Sequence, residues 1–252
     1  MAKFAAYLGP PTQVATLVER GTHSLVRQSA EQPDGFGIGW YPDDDQPEPL
    51  SVSSVLPIWS EDIILKVARR YASSSFICGL RKLRAEDRDA PPLIQPFQWN
   101  RHLFFHDGEL SRFKEVFERP LRSQLGDIGH GMLKTSSASE LLFATWADAL
   151  SGSTSADASA NALETMANRV RDIALGADAP ATFGVVVLDG RSIVTLRTAT
   201  HGTPPPMYTI VAGEGTPVPP LGRVIASEPL FPGAWSSLDP HSMVIFSADE
   251  QA

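Results

Sequence analysis

Cysteine is nearly absent: Cys78 is the only one in 252 residues. No intramolecular disulfide can form, a cysteine-based metal cluster is excluded, and the usage fits a reducing compartment. Positive charge is also in short supply. Lys and Arg number 21 against 29 Asp and Glu, for a formal net charge of −8. That balance leaves no cation excess for a broad nucleic-acid or anionic-membrane surface. Long apolar runs are missing too. No stretch approaches the roughly 18 residues that a membrane helix needs. One cation, then "FAAYLG", then Pro10-Pro11 is too short a pattern for a signal peptide. The expectation is a cytoplasmic protein with neither nucleic acid nor membrane as partner. What is present is ordinary for a globular chain: 42% hydrophobic and 20% charged residues, with enough length to bury a substantial core.

The patterning mixes strands and helices. "FAAYL" (4–8) reads as a strand stopped by Gly9-Pro10-Pro11. Residues 13–20 suggest a short helix. "GFGIGWY" (35–41) alternates glycine with apolar residues, a strand pattern in which another backbone or a ligand comes close. "SEDIILKVARRYASS" (60–74) reads as a helix with Ser60 as N-cap and acids in its first turn. "SFICGLRKL" and "HLFFHDG" are strands, "DDDQPEP" and "AEDRDAPPLIQP" polar loops. Helices are expected near 110–125, 139–150 and 161–175, with "SGSTSADASA" as a flexible connection or N-cap region. Five strand patterns close the chain. Asp189-Gly190 forms a hairpin turn between two of them. Strands, then helices, then strands, without regular alternation, predict an α+β protein of antiparallel sheets covered by helices.

Six motifs in this order, "FAAYLGPP", "DGFGIGWY", "FICGLRKLR", "FFHDGEL", "SASELLF" and "ASEPL…W", resemble those of the class II glutamine amidotransferases. The likeness is strongest to the stand-alone branch that includes the ergothioneine-pathway γ-glutamyl hydrolase. It covers nearly the whole chain and implies a single domain over 1–252. The implied fold is a four-layer αββα sandwich of two antiparallel sheets flanked by helices, that of the N-terminal-nucleophile hydrolases. The implied chemistry needs no cofactor and no metal. A cysteine exposed by loss of the initiator methionine attacks a γ-amide, with its own α-amine as base. An arginine grips the substrate carboxylate. An "HNG" motif supplies an oxyanion hole, and the aspartate of a "DSE" motif holds the substrate amine.

The resemblance puts these roles on named positions. The nucleophile position is Ala2, whose methyl group cannot attack. The arginine is Arg81, followed by Lys82-Leu83-Arg84 where the family has small residues and threonine. The oxyanion motif reads His106-Asp107-Gly108, and the aspartate position is Ala138, in Ala138-Ser139-Glu140. Losing a covalent nucleophile costs on the order of a millionfold in turnover. Losing one oxyanion donor costs about 100- to 1,000-fold, and an ionised Asp107 sets negative charge beside developing negative charge. The amine anchor lost at Ala138 is worth roughly 1.5–3 kcal/mol. With Ala2, Asp107 and Ala138 all altered, no catalytic residue is expected. Arg81, His106, Asp107 and Gly108 remain as candidates to bind a small amino-acid-like ligand. The expected partner is a protein, either an active enzyme or a second copy of the chain.

Two alternatives stay open. One is an active hydrolase whose cysteine has been exchanged for Ala2. The other is different chemistry in the same pocket, using Arg81, Asp107 and His106. Several residues also have plainer readings. Cys78 reads as a buried strand residue before a nucleophile. Asp107-Gly108 is equally a plain turn. Arg81, Lys82 and Arg84 are an anion pocket or solvated cations. His102 and His106, about 13 Å apart on one strand face, make a poor metal site. Gly35, Gly37 and Gly39 fit close sheet packing better than a phosphate loop, since no helix follows. Ser139 and Glu140 read as the start of a helix.

Overall fold

The computed structural model describes residues 2–31, 35–42, 48–81 and 94–248. The strands are β1 (Lys3–Gln13), β2 (Gly35–Trp40), β3 (Leu50–Ser54), β4 (Ala72–Arg81), β5 (Phe97–Trp99), β6 (His102–Leu110), β7 (Ala181–Leu188), β8 (Ser192–Ala199), β9 (Tyr208–Val211), β10 (Arg223–Ala226), β11 (Ser236–Ser237) and β12 (Ser242–Ser247). The helices are α1 (Ala15–Glu19), α2 (Leu25–Glu31), α3 (Asp62–Arg70), α4 (Glu118–Ser123), α5 (Asp127–Met132), α6 (Ala138–Leu150) and α7 (Ala156–Ala177). A π-turn over Phe113–Phe117 leads into α4. Among the described residues no helix is long and apolar enough to cross a membrane.

The strands form two antiparallel sheets. One has the order β11-β9-β10-β1-β4-β2-β3, the other β12-β8-β7-β6-β5. Side-chain alternation along β1 shows how four layers arise. Ala5 and Tyr7 join Ile38, Phe76 and Cys78 beneath α1, α2 and α3. Phe4, Ala6 and Leu8 point the other way, against Ile77, Leu103, Phe105 and Val186 between the sheets. A third core, with Phe104, Val185 and Trp146, lies under α4, α6 and α7. The expected αββα sandwich is therefore the observed architecture. Gly37 lets the layers close: a Cβ there would sit 2.1 Å from the Gln95 carbonyl oxygen. Sheet packing, not phosphate binding, accounts for this glycine-rich strand.

Several boundaries differ from the sequence reading. β1 runs on through Gly9-Pro10-Pro11 to Gln13. Its register against β4 jumps from Leu8–Ser75 to Thr12–Ser73, so the prolines occupy a bulge where no ladder donor is needed. Ser60 does not cap α3; its hydroxyl donates to Pro57 O at 2.7 Å, and Glu61 is the N-cap residue. The helix expected from 110 begins later, because β6 continues to Leu110 and the π-turn follows. Asp107-Gly108 is not a turn. Both residues lie within β6, opposite Gly184 and Phe183 of β7. The second half of "SGSTSADASA" belongs to α7, and Ser155 before it accepts from Ala158 N as the N-cap, in line with the N-cap reading. The Asp189 turn stands as read: its Oδ1 accepts from Arg191 N at 2.8 Å and Ser192 N at 2.7 Å. The polar loops fall largely at 43–47 and 82–93, outside the described residues.

Candidate functional site

Four elements converge at one end of the sandwich. Ala2 precedes β1 and packs with the inter-sheet core. Arg81 ends β4, on the same face as Ile77. On β6 the alternation splits two neighbours: Asp107 faces between the sheets with Phe105, while His106 faces α6 with Phe104. Ser139, in the first turn of α6, reaches toward the same place. With Gln95 and Gly108 these residues line a cavity of about 140 Å³. The structure thus brings together Ala2, Arg81, His106, Asp107 and Gly108, which the sequence singled out.

The contacts are specific. Ala2 N donates to Asp107 Oδ1 at 2.6 Å. Gln95 clamps the backbone of His106, accepting from its N at 2.6 Å and donating to its O at 3.0 Å. Arg81 Nη1 donates to Ser139 Oγ at 3.1 Å, and Ser139 Oγ lies 2.9 Å from His106 Nδ1. A guanidinium only donates, so Ser139 accepts from Arg81, and the imidazole tautomer sets which of Ser139 Oγ and His106 Nδ1 donates to the other. The other ring nitrogen, Nε2, is buried and has no partner among the described residues. Gly108 has φ +142°, and a Cβ there would lie 2.1 Å from Thr182 O, so only glycine fits.

Burial dominates the electrostatics. His106 is pushed down to about 3, first by desolvation and then by the nearby Arg81 charge. Asp107 is shifted the other way, its carboxyl raised by burial and partly restored by hydrogen bonds from the Ala2 and Gly108 backbone. Ser139 beside His106 has the layout of a nucleophile and its base. The imidazole is nevertheless too weak a proton acceptor at neutral pH to activate the hydroxyl, and Arg81 already draws on the same oxygen.

A sequence model described as glutamine amidotransferases class-II matches residues 9–211. The chain belongs to this family. Among solved structures, a glutamine aminotransferase class-II domain protein from Silicibacter pomeroyi superposes with TM-score 0.73 at 22% identity, covering 98% of this chain and 95% of that one. A predicted glutamine amidotransferase from Pseudomonas aeruginosa gives TM-score 0.59 at 16% identity, with 98% and 97% covered. The glutamine phosphoribosylpyrophosphate amidotransferase of B. subtilis gives 0.62 at 13% identity, and there 98% of this chain spans 47% of the larger protein. At these identities the likeness is one of fold. No curated protein matches the chain at a significant level.

Set in the class-II amidotransferase fold, the remaining candidates separate. Cys78 is buried on the opposite face of β4 from Arg81, with its thiol 3.5 Å from Ala5 O and burial raising its pKa. It does not reach the cavity. Ala138 opens α6 and packs against the helix-side core. His102 lies edge-on to Trp146 at 5.3 Å, part of that core. Among the described residues no group of three or more His, Cys, Asp or Glu could hold a metal ion. Lys82 and Arg84 fall outside the described residues.

Ser139 and Glu140 do more than begin a helix. Ser137 is the N-cap of α6, accepting from Glu140 N at 3.1 Å. The buried Glu140 carboxylate accepts from Lys134 N, Thr135 N and Thr135 Oγ1 at 2.9, 2.7 and 2.7 Å, tying down the preceding loop. Ser139 is thereby freed to serve the cavity. Sequence reasoning missed Ser139 and Gln95 as site residues. Ser139 was within reach, since Ser137 two positions earlier is an equally good cap. Gln95 carried no local signal.

Proposed function

We propose that this class-II amidotransferase has lost glutamine hydrolysis and acts as a binding subunit beside a partner enzyme, in the cytoplasm. One observation carries the reading. The side chain at the nucleophile position, next to Asp107, is the methyl group of Ala2, and none of the residues around the cavity is a thiol. Asp107 supports it further. A carboxylate accepting from Ala2 N is an acceptor where the family chemistry requires a donor. What persists is Arg81 and a cavity sized for an amino-acid-like ligand, a combination suited to binding without turnover.

The reading is tested with glutamine and a γ-glutamyl thioether as substrates. The wild-type chain is expected to release neither ammonia nor glutamate. Release by the wild type overturns the proposal. Strong release by Ala2→Cys alone favours the alternative of a working hydrolase that lacks only its cysteine.

A further inference from the structure

The helical layer over the five-stranded sheet carries a second cavity, of about 330 Å³, that shares no residue with the first. Its walls are Lys114, Glu118, Arg119, Arg122, Ser123 and His130. The π-turn supplies Lys114, α4 supplies Glu118, Arg119, Arg122 and Ser123, and α5 brings His130 alongside. Local charge runs against that of the whole chain. Three permanent cations face one carboxylate, a surplus of two positive charges, on a protein whose formal net charge is −8. Gathering like charges costs Coulomb energy, so fold stability does not explain the grouping.

The cations are also prepared for a ligand. Glu118 pairs with Arg122 one helical turn away at 3.5 Å, which holds Arg122 along the wall. Lys114 and Arg119 are exposed, and neither forms an ion pair among the described residues. Their aliphatic stems give the cavity apolar walls below charged rims. We propose that this cavity binds the phosphate monoester group of a small metabolite. Such a group carries about −1.5 to −2 at neutral pH, which matches the surplus of two. The Arg119 guanidinium offers a two-pronged donor for phosphate oxygens and Lys114 a compact point charge, while the Ser123 hydroxyl is already donated to Pro120 O at 2.9 Å. The volume fits a small phosphorylated molecule.

The test is titration calorimetry on the full chain at low salt, with inorganic phosphate, a sugar phosphate, the parent sugar and succinate. Inorganic phosphate and the sugar phosphate are expected to saturate a single site whose affinity falls as salt is added. Tighter binding of the sugar phosphate than of phosphate would assign the site to a metabolite; equal binding would assign it to free phosphate, and either satisfies the shared chemistry. The parent sugar and succinate should not bind. Lys114→Gln with Arg119→Gln should weaken binding at least tenfold, Arg119→Lys by less, and Arg81→Ala not at all. The inference is overturned by absence of saturable heat at millimolar phosphate, by succinate binding as tightly, or by loss of binding in Arg81→Ala with retention in the double variant.

Discussion

Burial of a neutral His106 predicts that acid destabilises the fold, and the size of the effect follows from the structure. In the folded chain its pKa is pushed down to about 3, against an ordinary value of 6.5. Below 6.5 the unfolded chain takes up a proton that the folded chain refuses. The associated stability is complete above 6.5 and is lost as pH falls toward 3, at about 1.4 kcal/mol per pH unit. Between about pH 6.5 and 4.5 the loss is about 2 kcal/mol, a large share of the stability of an ordinary domain. Asp107, next in the chain, works in the opposite sense. Its raised carboxyl pKa means that the folded state holds a proton more tightly, so its contribution is present at low pH and is lost as pH rises through the folded value. The two must be separated. The assay is urea unfolding across this pH range for Asp107→Asn and for Asp107→Asn with His106→Gln. Asn keeps an oxygen to accept from Ala2 N, so the site geometry survives. The first variant should lose about 2 kcal/mol more than the second. Equal slopes would refute the assignment of a neutral, desolvated His106. His102, also shifted down by burial, is present in both and cancels.

Other outcomes are open to direct measurement. Gly108→Ala meets both a left-handed backbone angle and Thr182 O at 2.1 Å; it should lower stability by more than about 2 kcal/mol in a denaturant melt. Glu140→Ala leaves three donors of the 134–135 loop without their carboxylate; a loss of about 2–4 kcal/mol is expected, with faster amide exchange at Lys134 and Thr135. Cys78 should resist thiol reagents in the native protein and react only on unfolding, because burial disfavours its thiolate.

The sequence makes the sandwich readable because strand alternation and motif order are local and repeated. "FAAYL" and "SFICGL" each bury both faces, one toward helices and one toward the second sheet. The errors fall where tertiary contacts override local signals. Pro10-Pro11 looks like a stop, yet a bulge against β4 absorbs it. Asp107-Gly108 looks like a turn, yet β7 pairs through it. In the site, Arg81, His106, Asp107 and Gly108 were legible through the family resemblance. Gln95 was not, because its role comes from a clamp on the backbone of β6 that no pattern in its own neighbourhood announces. Ser139 was masked by its resemblance to a helix cap.

The proposed loss of glutamine hydrolysis rests on Ala2, Asp107 and Ala138 together. Ammonia release from glutamine by three chains tests it: wild type, Ala2→Cys, and Ala2→Cys combined with Asp107→Asn and Ala138→Asp. No release is expected from the first two and measurable release from the third. Strong release from the wild type or from Ala2→Cys alone would mean that the site has kept its hydrolytic machinery.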